Sequence, residues 1–230
     1  MGARATILFV ERLSGCNHFL LRVKLSSVSS VYDSNIQFYF VRLSKTSKIL
    51  LWGANIWYFG EGMLGPLYAL FSEKVGGDIL DLTWAWSAYL VCTGFCYIAV
   101  GKFFNRRGYK VQMMVLGYTL NATLTFCYLF VSNPVQLFFI QIGLGIAEAI
   151  GTPLWDSLYS SSLHREHETY AWGLSSGQSQ IVSGLAFALG GLLTFYYSFD
   201  VLFIVMGTIQ LMAAVVTAQL LRNDTTTSPQ

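Results

Sequence analysis

Two glutamates lie deep inside long apolar segments, and they are the residues of this sequence best suited to chemistry. Glu61 lies twelve residues into the first apolar segment and Glu148 lies fourteen residues into the fourth, and no Lys or Arg falls within any of these segments. A charged side chain at the centre of a membrane costs about 2.5 kcal/mol or more, so an acid there is a functional candidate by default. We expect each glutamate to bind a cationic solute or to carry a coupling proton. The alternative is a protonated carboxyl group that forms hydrogen bonds between helices.

Other polar residues extend these positions along helix faces. Four side chains of the fourth segment stand at helical offsets of 0, 7, 11 and 14, and therefore share one face: Gln141, Glu148, Thr152 and Trp155. The third segment has a similar face: Tyr118, Asn121, Thr125 and Tyr128. Such faces should line a cavity rather than contact lipid, although hydrogen bonding between helices explains the face on the third segment equally well. Further candidate site residues in the first and fifth segments are Asn55, Tyr58, Gln178 and Gln180.

The fifth segment also carries a nearly continuous face of small residues. This face includes Gly173, Gly177, Gly184 and Gly191. Small residues allow two helix backbones to approach closely in a membrane, so we expect this face to pack against another helix.

The segments that carry these residues predict an all-α membrane protein. The sequence is 54% hydrophobic and only 11% charged, against about 25% charged in ordinary soluble domains. A spanning helix needs about 20 mostly apolar residues, and six such segments follow one another at 49–71, 82–100, 111–131, 134–159, 170–197 and 201–221. Pro134 suits the first turn of its helix, whereas Pro66 predicts a kink in the first segment. We expect Trp84 and Trp86 to anchor the second segment at the membrane interface.

The positions of Lys and Arg predict the orientation of these segments. Cytoplasmic loops carry these residues in excess. With the N-terminus inside, thirteen of the 14 are cytoplasmic and only Lys74 lies outside. We therefore predict cytoplasmic termini, a transmembrane domain at 49–221 and a cytoplasmic tail at 222–230. Residues 1–48 contain no run long enough to span, which predicts a cytoplasmic arm that is either disordered or upstream sequence translated from a misplaced start.

The loop between the second and third segments is the most specific motif of the chain. Residues 101–110 read Gly-Lys-Phe-Phe-Asn-Arg-Arg-Gly-Tyr-Lys, with four cations and no acid. This loop resembles the corresponding loop of the major facilitator superfamily, which reads approximately Gly-x-Leu-Ala-Asp-Arg-x-Gly-Arg-Lys. The residues that match in register are Gly101, Arg106, Gly108 and Lys110, whereas Asn105 stands where the family has Asp. The small residues of the fourth and fifth segments also resemble those of the family.

The resemblance implies a secondary transporter that moves a small solute by alternating access, without covalent catalysis. Family members normally have twelve spans arranged as two six-helix halves around a central cavity, so one half implies a homodimer or a separately encoded second half. In the family this loop pairs with acids at helix ends, and Asp156 is the acid that would match Arg106 or Arg107 here. Two departures, the neutral Asn105 and Phe139 in place of an early Arg of the fourth helix, mean that coupling schemes based on that Arg do not carry over.

Other classes of function have little support in the sequence. The cysteine spacing indicates neither a disulfide framework nor a zinc site, and His164, His167 and Glu168 fit a loop better than a metal site. No set of nucleophile and base indicates an enzyme, and we expect no cofactor, metal or nucleic-acid partner. The expected partners are the lipid bilayer and a small solute, and the expected location is the plasma membrane. The alternative function is a non-transporting assembly or regulatory subunit, or a remnant half-transporter, in which the polar faces only join helices.

Overall fold

The computed structural model describes residues 43–104 and 108–224, with side chains up to residue 221. Every regular element in these residues is helical, which confirms the prediction of an all-α protein. The α-helices are α1 (Lys45–Gly62), α2 (Leu67–Lys74), α3 (Ile79–Phe104), α4 (Lys110–Cys127), α5 (Pro134–Ser161), α6 (Glu168–Tyr196) and α7 (Phe199–Asp224). Single 3₁₀ turns at Tyr128–Phe130 and Arg165–His167 follow α4 and precede α6.

Five of the described helices, α3 to α7, are long and apolar enough to cross a membrane. The spans of α4 and α6 include the 3₁₀ turns that adjoin them. They correspond to the second to sixth predicted segments. Pro134 occupies the first turn of α5, as predicted, and the side chain of Asn133 caps that helix by accepting a hydrogen bond from the backbone N–H of Gln136 at 2.9 Å. Short connections of this kind bring consecutive helices back antiparallel to one another.

The first predicted segment differs from the others because it consists of two helices. α1 ends at Gly62 and α2 begins at Leu67, with a turn between them. Pro66 has no backbone N–H and cannot continue the helical hydrogen-bond ladder, so the kink predicted there is a complete break. This break leaves Glu61 in the last turn of α1.

Two helix boundaries differ from the predicted ones. α1 begins at Lys45 because the hydroxyl of Ser44 caps it and accepts a hydrogen bond from the Ser47 N–H at 3.0 Å, so residues 45–48 of the predicted arm are helical. Residues 1–42 of that arm lie outside the described residues. α3 continues to Phe104, where Lys102 in its last turn suits the negative end of the helix dipole. The first four residues of the predicted loop therefore belong to a helix.

The helices pack in an order that differs from their order along the chain. α5 lies between α3 and α4, α4 lies between α5 and α7, and α7 and α6 pack on α1. α3 and α6 are therefore the flanks of the bundle, and only 11% of the most apolar stretch of each is buried, against 44% for α5 and α7.

The contact between α3 and α5 depends on a glycine. A Cβ atom added at Gly145 would lie 2.8 Å from the carbonyl oxygen of Tyr89 and 2.8 Å from Oγ1 of Thr93, which is closer than real Cβ contacts. The absence of a side chain at Gly145 thus brings α3 against α5 one turn before Glu148.

Candidate functional site

A cavity of about 330 Å³ lies among the helices, and all seven contribute to its wall. Its size is at the lower end of the roughly 300–1,000 Å³ typical of ligand pockets. Glu61 and Glu148, the two glutamates identified in the sequence, both line this cavity. The other polar lining residues are Tyr58, Tyr68, Tyr89, Asn121, Thr125, Tyr128, Gln141, Thr152, Ser183 and Gln210.

Two tyrosine hydroxyl groups of α3 hold the carboxyl group of Glu148. Tyr97 donates to Oε1 at 2.8 Å, and Tyr89 donates to Oε2. Hydrogen bonds of this kind orient a carboxyl group and satisfy its lone pairs. The close approach at Gly145 brings Tyr89 within reach, so the position of this acid depends on how α3 packs against α5.

The carboxyl group of Glu61 has a different environment. Its Oε2 atom is buried and has no hydrogen-bond partner among the described residues. The same is true of Oδ1 of Asn121 on α4 and Oε1 of Gln210 on α7, whose side chains are 4% and 1% exposed. Buried polar atoms normally have a partner, so three residues of the cavity wall each carry a buried oxygen atom that has no partner in the described part of the chain.

Aromatic rings form one side of the cavity. The ring centroids of Tyr68 and Trp86 are 5.6 Å apart, and those of Trp86 and Tyr89 are 5.3 Å apart. These three residues, the aromatic wall, all line the cavity. Trp86 was expected at the membrane interface, and its ring also borders this site.

Several predicted site residues come together at the cavity. Gln141 and Thr152 line it beside Glu148, and Tyr58 and Asn121 line it from α1 and α4. The Nε2 group of Gln141 donates to the hydroxyl of Tyr128 at 3.0 Å. The polar faces of the third and fourth predicted segments therefore meet at one place.

Other predicted site residues lie away from the cavity lining. The indole N–H of Trp155 donates to the carbonyl oxygen of Leu50 at 3.1 Å in the buried core. Asn55 on α1 donates through Nδ2 to Oε1 of Gln178 on α6 at 2.9 Å, which joins these two helices. Gln180 is exposed on α6.

The basic loop predicted at 101–110 is described only in part. Asn105, Arg106 and Arg107 lie outside the described residues, and so does any pairing of these arginines with Asp156. Gly101 lies in α3 and Gly108 lies in the turn before α4, and both are exposed. The Nζ group of Lys110 donates to the hydroxyl of Ser157 at 2.8 Å, so the start of α4 contacts the residue after Asp156.

Several lining residues were missed as site candidates in the sequence, among them Trp86, Tyr89 and Gln210. Tyr89 and Trp86 gave no signal, because nothing in the sequence shows which face of α3 meets α5. Gln210 offered a signal that could have found it, since it is an amide near the middle of a mostly apolar segment.

One comparison with known proteins identifies the family of this chain. The model of a family described as Major Facilitator Superfamily matches residues 50–230, which include every described helix from residue 50 onward. The chain belongs to the major facilitator superfamily. It is therefore a multi-pass integral membrane protein of a transporter family, as the motif at 101–110 indicated. No curated protein and no solved structure matches the chain significantly.

Proposed function

We propose that this chain is a secondary active transporter that moves a small solute through the cavity by alternating access. The observation that carries the proposal is the cavity of about 330 Å³, with Glu61 and Glu148 on its wall, inside a member of a transporter family. Acids within membrane spans mark substrate or proton pathways, because burying them without a function is costly. The break between α1 and α2, next to Glu61, is the kind of discontinuous helix that transporters use at their binding sites.

The working form we propose is an assembly of two six-helix units, the second unit being another copy of this chain or a separately encoded half. The flanking helices α3 and α6 support this proposal, because little of their apolar surface is buried within the chain. The small-residue face of α6 also supports an assembly of two units. A Cβ atom added at Gly173, Gly177 or Gly184 would meet nothing within 4 Å, so this face is available to a helix of the second unit.

The orientation and the loop belong to the same proposal. Both termini face the cytoplasmic side of the plasma membrane, and Lys110, the last residue of the basic loop at 101–110, lies beside the inner end of α5. The hydrogen bond from Lys110 to Ser157 supports this placement. Arg106 or Arg107 pairs with Asp156 in one of the two transport states and thereby biases the equilibrium between them. An exposed ion pair contributes about 0 to 1 kcal/mol, which is sufficient when two states are nearly equal in free energy.

Uptake by proteoliposomes tests the proposed function. The full chain is reconstituted, and a panel of labelled solutes (amines, amino acids, sugars and carboxylates) is offered with and without a pH gradient. We expect saturable uptake of at least one solute above that of protein-free liposomes, and loss of this uptake in Glu61→Gln or Glu148→Gln. Glu73→Gln removes an exposed carboxyl group of α2 outside the cavity and serves as the matched control. Uptake equal to that of protein-free liposomes for the whole panel would refute the proposal.

A further inference from the structure

The unsatisfied buried atoms of the residues that line the cavity are mostly hydrogen-bond acceptors. Glu61 Oε2, Asn121 Oδ1 and Gln210 Oε1, the three acceptor oxygens, are buried without a partner in the described residues. Two other buried lining atoms are also unpaired: the hydroxyl of Tyr68, which can donate or accept, and Nε1 of Trp57, which only donates. Among these buried unpaired atoms acceptors outnumber donors, and a ligand that reaches them satisfies them best with N–H or O–H groups.

The charge of the lining favours a cation. Of the described residues that line the cavity, two are glutamates and none is Lys, Arg or His. The carboxyl group of Glu148 already accepts two hydrogen bonds from tyrosines. Oε2 of Glu61 has no donor among the residues that the structure describes, so Glu61 is the acid left to pair with a ligand. A charge-assisted hydrogen bond there would be stronger than a neutral one.

The rest of the wall favours an organic ion over a bare metal ion. The aromatic wall lies along one side, and Leu64, Leu144 and Met206 add apolar surface. Aromatic faces attract cations that lie within about 6 Å of the ring. Apolar surface of this extent suits a hydrocarbon body, and a cavity of about 330 Å³ limits that body to a small one.

We propose that the cavity binds a small organic ammonium ion, with its N–H groups toward the three acceptor oxygens and its apolar body against the aromatic wall. The inference deepens the proposed transport function and rests on it, because it names the class of solute that the same site takes. It distinguishes a protonated amine from a quaternary ammonium ion, which carries the charge but has no N–H group to offer.

Binding to the purified full chain in detergent micelles tests the proposal. Phenethylamine, its N,N,N-trimethylated analogue and phenethyl alcohol are compared at pH 7 by calorimetry, with quenching of tryptophan fluorescence as a second readout, since Trp57 and Trp86 line the cavity. Because hydrogen bonds to charged groups are the stronger ones, we expect phenethylamine to bind at least about tenfold more tightly than either of the others. Equal binding of phenethylamine and phenethyl alcohol would overturn the proposal.

Three variants test separately how the charge of the site and its hydrogen bonds contribute to ligand binding. Glu61→Gln keeps the shape of the side chain and should weaken phenethylamine binding at least about tenfold, whereas Glu73→Gln, on the exposed side of α2, should leave it unchanged. Gln210→Leu should reduce the preference for phenethylamine over the trimethylated analogue, an effect that ligand size alone does not produce. Wild-type binding by Glu61→Gln would contradict the proposal. If Glu61→Gln does not fold, the three ligands on the wild-type protein decide the question.

The binding experiment uses no gradient, so its outcome is distinguishable from a failure of transport. Phenethylamine binding without uptake of any solute would refute the transport function and support the cation site. Uptake of a neutral or anionic solute by a protein that does not bind phenethylamine would overturn the cation site and leave the transport function standing.

Discussion

Replacing Gly145 with alanine tests how the packing of two helices positions Glu148. The added Cβ would lie 2.8 Å from the Tyr89 carbonyl oxygen, and ordinary contact begins at 3.4 Å, so α3 must move away from α5 by about 0.6 Å. Transmitted in full to Tyr97, this movement lengthens its 2.8 Å hydrogen bond to Glu148 to about 3.4 Å, beyond the range of a good O–H···O bond. Crowding of this kind costs about 1–3 kcal/mol.

The matched control is Gly94→Ala on α3, the helix that packs against α5. A Cβ atom added at Gly94 meets nothing within 4 Å, and both substitutions gain the same helix propensity of about 1 kcal/mol. The propensity therefore cancels when the two variants are compared. The expected difference in unfolding free energy is about 1–3 kcal/mol, with Gly145→Ala the less stable.

Unfolding of both variants in mixed micelles, followed by circular dichroism at increasing denaturant concentration, measures this difference. In a background in which Trp86 is the sole tryptophan, its fluorescence reports whether α3 has moved, because Trp86 lies on α3 beside Tyr89. Equal stability of the two variants, or a more stable Gly145→Ala, would refute the account of how α3 meets α5.

Three further predictions concern single contacts. Tyr97→Phe removes one hydrogen bond to Glu148 and should lower the unfolding free energy by about 1.5 kcal/mol, measured by denaturation in micelles; an unchanged value would mean that this bond does not hold the acid. Asn55→Leu breaks the bond between α1 and α6 and should cost about 0.6 to 1.7 kcal/mol in the same assay, whereas a loss well above this would show that Asn55 has a second role. Gly177→Leu should leave the fold intact and weaken assembly of the two units, measured by sedimentation in detergent, whereas Thr119→Leu on the exposed face of α4 should not; equal assembly of both variants would exclude the face of α6 as the interface.

Helical periodicity explains which parts of the site the sequence could predict. Side chains at offsets of 7 and 11 from Gln141 return to the same face, and Glu148 and Thr152 do line the cavity with it. Trp155 shares that face but lies seven residues beyond Glu148, which is about 10 Å further along the helix axis. The polar face of α5 was therefore predictable, whereas the position along the helix axis at which the cavity ends was not.

The order in which helices pack explains what the sequence could not predict. Tyr89 and Tyr97 reach Glu148 because α3 packs on α5, which is not its neighbour along the chain. Similarly, α7 lies between α4 and α1, and this brings Gln210 to the cavity. Periodicity gives each helix its faces, but the pairing of faces depends on close contacts such as the one at Gly145.

Access to the cavity from the two sides of the membrane is the most direct test of the transport account. In a variant without native cysteines, Ser183→Cys places a thiol on the cavity wall, while Ser132→Cys and Ser160→Cys mark exposed positions before and near the end of α5. Membrane-impermeant thiol reagents are applied from each side of oriented vesicles. The account predicts that Ser183→Cys reacts from both sides, Ser132→Cys only from outside and Ser160→Cys only from the cytoplasm. Reaction of Ser183→Cys from one side alone, or from neither, would contradict alternating access through this cavity.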